Sequence, residues 1–599
     1  MIAALKQRAL FILLIVGAVF AVYAPSLWNG YVWDDSALIQ RDPFIRSWRL
    51  IPEGFGHFLF TDATASDFYR PMQRLTYTWD YAWGGFQPAG YHFTSILLHA
   101  LAAVFLFLFL DRLLTLFEHP RAIQWAAVVA GLWAIHPLFT SAVCYISGRA
   151  DPLAALFGFC GLWLALRNTR GATALAAILF FCAICSKESG AIFLPLCIAL
   201  LILLRFPRRA ILSWILLSVL VVAAILSLRL TAEHTPPPAP APLSWAARPI
   251  VALRAFAEYA GLFAAPVNLH MERDVLPFGR GDLPSTLLIA RNREFQTLLG
   301  ALLLAAFIFW MRWARRRDSA VFAGLVCFTI AYLPICGLFS LNASVAEHWL
   351  YVPGAFLLLA ALLSAARLPI SRPAGVFILV LWAGFLGVRT FLRNPDWHDQ
   401  RTFLERTVAD GGGSARMLID LGALELSEGH TRVAIDDFQN ALALSPDQPF
   451  GLINLGSAYL NEKQFIPARQ QFEKALEIPF IRAQALQALA VLDYQESRTD
   501  RVDLLRQAAQ LAPEDWSIQR RYIVHLGERG QIDAAITALR VITRDQPWRA
   551  DTWRLLGDFW LHVRQYDSAA RAYRKAIAFD VHDDETPRKL AAIDAQLAH

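Results

Sequence analysis

Residues 449–479, PFGLINLGSAYLNEKQFIPARQQFEKALEIP, decide the C-terminal part of the fold. They read as two amphipathic helices around a short polar turn, closed by Pro479, a residue that cannot continue a helix. Pro446, Pro479, Pro513 and Pro547 follow one another at spacings of 33, 34 and 34 residues, each closing a helical pattern. A fixed period of this size marks stacked helix pairs, none of which buries its apolar face alone.

Within the quoted unit Leu455-Gly456, Tyr459, Ala468, Phe472, Ala475 and Pro479 stand at the consensus places of a tetratricopeptide repeat (TPR), and Trp553, Gly557, Trp560, Ala569, Tyr573 and Ala576 do so in the last one. Gly422 and Gly456 stand where small residues let paired helices approach, whereas the third and fourth units put Ala490 and Val524 there. Roughly five units over 414–581 predict a right-handed α-solenoid whose concave face binds an extended peptide or protein, with 582–599 as a C-terminal capping helix. The plainer alternative is that the repeats only stabilise or dimerise the rest of the chain.

Upstream of the repeats the chain changes character. Hydrophobic residues make up 56% of all 599 and aromatics 13%, more than soluble domains need, so much of the apolar mass must face lipid. Apolar runs at 9–24, 93–110, 122–139, 152–167, 171–185, 190–204, 210–229, 296–312, 320–340, 350–367 and 374–392 predict about eleven spans in a polytopic helical bundle over 1–392. The first run lacks a good cleavage site at Tyr23-Ala24-Pro25-Ser26 and reads as a retained helix. Residues 249–265 carry Arg254 and Glu258 four apart and read as an amphipathic helix lying at the interface. With Lys6 and Arg8 cytoplasmic, the positive-inside bias places Arg312 and Arg315 to Arg317 inside only if 249–265 does not cross. The chain then emerges after residue 392 on the outer face, where 393–413 reads as a short flexible linker to the repeats. This organisation predicts a bacterial inner-membrane protein with periplasmic repeats.

All seven cysteines lie within 144–336, in or beside apolar runs, and form no legible disulfide framework or zinc site. Cys182 and Cys185 form a C-x-x-C inside an apolar run and read as packing. The net charge of +6 is spread along membrane flanks, which argues against nucleic acid as a partner. Residues 235–242, Thr-Pro-Pro-Pro-Ala-Pro-Ala-Pro, read as a polyproline II spacer.

The suggestive polar residues gather in the loops assigned to the outer face. Asp34 and Asp35 follow Tyr31-Val32-Trp33, and a carboxylate desolvated beside aromatics at a membrane surface is a competent general base. Arg70, Arg149, Lys187 and His348 are cationic or neutral donors on that face. A cluster of Arg and Lys at the interface suits a lipid-linked phosphate, whose tail stays in the bilayer. Snorkelling to ordinary lipid headgroups is the competing reading for each cation, and Arg149 with Asp151 or Lys187 with Glu188 are possible structural ion pairs.

These motifs occur in a specific order: Asp34-Asp35, Tyr69-Arg70-Pro71, Gly90-Tyr91-His92, His136-Pro137 leading to Gly148-Arg149-Ala150-Asp151, Ser186-Lys187-Glu188, Ala346-Glu347-His348-Trp349-Leu350-Tyr351-Val352-Pro353, then the repeats. In that order they resemble the transmembrane and TPR repeat-containing family over nearly the whole chain. The family belongs with GT-C glycosyltransferases similar to protein O-mannosyltransferases, which use polyprenyl-phosphate sugars on the non-cytoplasmic side. The resemblance implies transfer of a sugar to a protein hydroxyl, with Asp34 or Asp35 as the catalytic carboxylate. Arg70, Arg149 and Lys187 are the expected donor-phosphate ligands, and His92, Asp151, Glu188, Glu347 and His348 the supporting residues. A divalent cation on the acidic pair stays open. The chain departs from the family at His348, where animal members tend to have Arg, and in its Asp-Asp pair, where some O-mannosyltransferases have Asp-Glu. Two other classes compete: a non-catalytic membrane scaffold whose repeats recruit envelope proteins, and a transporter of lipid-linked sugars.

Overall fold

The computed structural model describes residues 2–61, 66–232, 245, 247–271, 273, 275, 287–339, 341, 343–497 and 501–597. The proline-rich stretch 235–242 lies outside them. Among the described residues the fold is all-α, with a single isolated bridge between Arg273 and Val345.

Two compact units form. One comprises Met1–Trp33, Pro88–Leu230 and Pro240–Met417, the other Asp34–Gln87, Thr231–Ala239 and Leu418–His599. This division departs from the boundaries expected at 392 and 413 in two respects: Asp34–Gln87 groups with the repeats, and 393–413 groups with the bundle. Those latter residues are helical, over Asn394–Trp397, Gln400–Thr407 and Val408–Gly412. Asp399 caps the middle helix by accepting from the Thr402 amide at 2.8 Å, and Phe403 and Leu404 are buried. An N-cap and an apolar face are enough to order a segment whose polar composition reads as a linker.

In the first unit each of the eleven expected spans falls on a helix. Among the described residues six helical stretches are long and apolar enough to cross a membrane: Leu5–Trp28, Pro88–Leu116, Arg208–Thr231, Arg293–Arg317, Glu347–Ala365 and Arg372–Trp397. Ala122–Ala134 continues into Pro137–Val143 through a 52° bend, where Pro137 denies the helix an amide donor. The remaining spans fall on shorter apolar helices, Ala150–Ala165, Arg170–Ser186, Glu188–Leu203 and Ser319–Ile335. The chain is thus a multi-pass membrane protein. The amphipathic segment forms helix Ala247–Ala264, with Arg254 buried and donating to Thr297 at 2.8 Å and Glu294 at 3.2 Å.

Polar contacts align the helix ends. Arg8 bonds the buried Asp111 at 2.8 Å, so the start of the first helix and the end of Pro88–Leu116 share one end of the bundle. At the other end Asn394 donates to the Val22 carbonyl at 3.0 Å and accepts from Cys144, and its own carbonyl accepts from Asn29. The last long helix therefore finishes where the first one finishes.

The second unit holds five helix pairs among its described residues: Ala415–Ser427 with Thr431–Leu444, Pro449–Asn461 with Phe465–Leu476, Arg482–Ser497 with Val502–Leu511, Trp516–Glu528 with Ile532–Asp545, and Ala550–His562 with Tyr566–Phe579. The helix Glu585–Leu597 caps them. Only the first three residues of the first of these helices, up to Met417, are counted with the bundle. Gly456 is small because its partner helix crosses close by: a Cβ there would run into the Phe472 ring.

Candidate functional site

The acidic pair heads the second unit. Trp33, the preceding residue, stacks between Tyr145 and Phe403, with ring centroids 5.9 and 5.7 Å away. The Asp34 carbonyl accepts from the Ala37 and Leu38 amides, starting the turn Ser36–Gln40. Asp35 is fully buried and Asp34 half-buried.

Behind the pair, the loop is built around a charge that sequence reasoning missed. Arg74, on helix Pro71–Gly84, is buried and bonds Asp42 at 2.8 Å. It also donates to the carbonyls of Gly54, His57 and Phe58 at 2.6, 2.8 and 2.7 Å. Asp42 in turn accepts from the Phe44 amide. In the Tyr69-Arg70-Pro71 motif, Tyr69 donates to the Phe55 carbonyl, Pro71 opens the helix, and Arg70 lies over the Phe68 ring at 4.5 Å.

The same loop packs on the last repeat. Phe44 and Leu50 share a buried cluster with Trp548 and Phe579, the Phe44 and Trp548 rings 4.4 Å apart. Tyr81 donates to Asp580 at 2.7 Å, and Arg46 pairs with Asp580 at 3.3 Å and Asp551 at 3.6 Å. Burial and the neighbouring Asp580 carboxylate raise the Tyr81 pKa. Burial opposes the Arg46 charge, but Asp551 and Asp580 more than offset it and raise its pKa.

In the first unit the motif residues form two groups. Gly148 comes so close to the Ser141 carbonyl that any Cβ would clash, and this places Arg149 at the head of helix Ala150–Ala165. Arg149 is fully buried, donates to the Tyr91 carbonyl at 2.6 Å and lies over the Tyr91 ring. The adjacent His92 contacts the Gly30 carbonyl at 3.2 Å. Lys187 reaches both Asp151 oxygens at 2.7 Å. Glu188, half-buried, opens the following turn.

Glu347 is buried and pairs with Arg393 at 2.8 Å. Arg393 also donates to Thr140 at 2.8 Å and to the Pro137 carbonyl. His348 is half-buried, with its ring 6.2 Å from that of Trp349. Arg393 ties the last helix to the Pro137–Val143 segment, and Asn394 ties it to Val22 and Cys144. The one signal of Arg393 in the sequence is a charge at the end of an apolar run.

Apolar helices and stacked helix pairs define a multi-pass membrane protein that carries tetratricopeptide repeats. A family profile described as "Tetratricopeptide repeat" matches residues 451–480. The chain is 24% identical over 449 residues to a protein O-mannosyl-transferase of Caenorhabditis elegans, covering 73% of this chain and 63% of that one. It is 23% identical to human protein O-mannosyl-transferase TMTC3 over 78% of this chain and 54% of that protein. Human TMTC4 is 34% identical over 175 residues, 26% of this chain and 23% of its own. The chain thus spans less than two-thirds of the length of these curated relatives. Among solved structures, the TPR protein YrrB covers 31% of this chain at 19% identity and a TM-score of 0.22. A Parabacteroides merdae repeat protein covers 41% at 18% identity and 0.25. The curated relatives and the repeat match agree with the resemblance to a TPR-containing, O-mannosyltransferase-like family read from the motifs.

Proposed function

We propose that the chain is a membrane glycosyltransferase that moves a sugar from a polyprenyl phosphate to a protein hydroxyl on the outer face, by the inverting GT-C route. The observation that carries this reading is the match to protein O-mannosyl-transferases over 73% of the chain. In the reaction, Asp34 or Asp35 takes the acceptor hydroxyl proton, and the oxygen attacks the anomeric carbon from the face opposite the leaving group. The carbon–oxygen bond to phosphate breaks, and polyprenyl phosphate departs with the bonding electrons. A phosphate needs no strong acid, so positive potential suffices to stabilise it. Lys187 and Arg149, with Arg70, supply that potential. The position of the pair supports this reading, with Asp35 buried and Asp34 half-buried beside Trp33.

The orientation rests on two observations. Arg8 sits at one end of the bundle beside Asp111, and Asn394 at the other beside Val22. With the basic N-terminus cytoplasmic, the last helix then delivers the repeats to the outer side of the inner membrane.

The test is transfer of labelled mannose from polyprenyl phosphate to a serine/threonine peptide by the purified full chain. Asp34→Asn or Asp35→Asn should slow transfer by a factor of about 100 or more. Undiminished transfer in both variants removes the acidic pair from the chemistry, and absence of transfer by the wild type favours a scaffold.

A further inference from the structure

The third and fourth repeats, which depart from the consensus at Ala490 and Val524, line a groove of about 1010 Å³ within the second unit. Its apolar surface comes from these two residues with Val491, Tyr494, Leu505 and Trp516, on the helices Arg482–Ser497, Val502–Leu511 and Trp516–Glu528. Gln40, Arg41 and Arg46 of the first outer loop complete it. Its charge is one-sided: six arginines face it, against Glu528 and Asp551. Arg46 and Arg501 are offset by the carboxylates of Asp580 and Asp493. Arg41, Arg520 and Arg521 are exposed and have no ion-pair partner among the described residues.

We infer that this groove holds an extended acidic segment of the acceptor protein, a reading that rests on the transferase function proposed above. Apolar walls with an unbalanced set of guanidinium groups suit a polypeptide that carries carboxylates between apolar side chains. The volume is at the top of the range for a small-molecule site and leaves room for several residues of peptide.

The groove also sets the register. Gln40 and Arg41 follow Asp35 by five and six residues, and Ser36–Gln40 is helical, so about 8 Å separates Asp35 from the edge of the groove. An extended chain rises about 3.3 Å per residue, so the acidic stretch begins roughly two to four residues from the modified hydroxyl.

The experiment measures binding of fluorescent peptides to the full chain in zwitterionic nanodiscs, without sugar donor. Two peptides share their serine, threonine and apolar residues, one carrying Asp and Glu where the other carries Lys. The acidic peptide should bind at least about tenfold more tightly and lose affinity as salt rises. Arg520→Glu with Arg521→Glu should remove that preference, and Arg41→Glu, on an exposed loop residue, should weaken it separately. Arg571→Glu, outside the groove, should leave it unchanged. Equal binding of the two peptides, or an unaltered preference in the charge-reversed variants, overturns the inference. Binding of anionic vesicles that the same variants abolish, with no peptide bound, overturns it in favour of a membrane contact. A peptide that binds selectively but is never glycosylated retires the transferase reading and leaves the groove standing. One that is glycosylated without selective binding does the reverse.

Discussion

Arg74 satisfies its guanidinium with Asp42 and three main-chain carbonyls, so removing the carboxylate strands a buried charge. Asp42→Ala should cost about 3–5 kcal/mol, read as a lowered melting temperature of the full chain in detergent, and an unchanged melt would refute the assignment. Arg74→Lys should also destabilise, because one ammonium cannot span the same acceptors. The Lys187–Asp151 pair calls for a different test. Lys187→Ala and Asp151→Ala should be non-additive in thermal stability by about 0.5–3 kcal/mol, and additivity would refute the pair. Asp583 gives a pH signature. Burial alone would raise its pKa, but the bonds from Thr586 and the charge of Arg554 outweigh burial and hold it low. A carboxyl depressed in the folded state stabilises above its unfolded value of about 3.9, and the contribution fades as pH falls through the folded value. Melting of the last repeat should therefore drop below about pH 4, and Asp583→Asn should flatten that drop. At this scale the sequence offered candidate residues but not their partners. Lys187 and Glu188 are adjacent, so their side chains diverge, and Lys187 turns instead to a carboxylate 36 positions away.

The repeats were legible as elements because their period is written directly into the chain, down to prolines that fall two residues beyond helices ending at Leu444, Leu511 and Asp545. The joint between the 34–87 segment and the last repeat was not. Phe44, Trp48, Trp79 and Tyr81 have the composition of an interfacial aromatic belt, and only the fold shows Phe44 and Tyr81 against Trp548 and Asp580. That joint alters what truncation should do. A tether that only captures acceptors is dispensable for small ones, whereas here the repeats brace the segment that carries Asp34 and Asp35. Removing 411–599 should therefore abolish transfer to a small acceptor mimic as well as to protein. Trp548→Ala, which empties one cluster and spares the rest, should reduce both by a similar factor. A truncated chain that still modifies the small acceptor at full rate would show that the loop stands alone.

For the whole molecule, the bundle's end-to-end order gives a topology that can be checked directly. A periplasmic phosphatase fused after residue 410 should be active, because Asn394 lies beside Val22, at the end of the bundle opposite Arg8. A reporter active there only in the cytoplasm would invert the scheme. Hydropathy made the apolar helices legible, since each is an apolar run, but the compact units were not, because one of them joins residues from both ends of the chain. Tyr81 and Asp580 are 499 positions apart. At synthesis rates of about 5–20 residues per second, the loop waits roughly 25–100 s for its partner. Throughout that time Phe44 and Leu50 lack the Trp548 and Phe579 side chains that cover them, while further helices are still entering the bilayer. Biogenesis of this chain thus has a vulnerable interval set by ribosome speed, in which the loop is a natural client for a holding chaperone. Slowing translation late in the message should lower the yield of folded protein more than slowing it early.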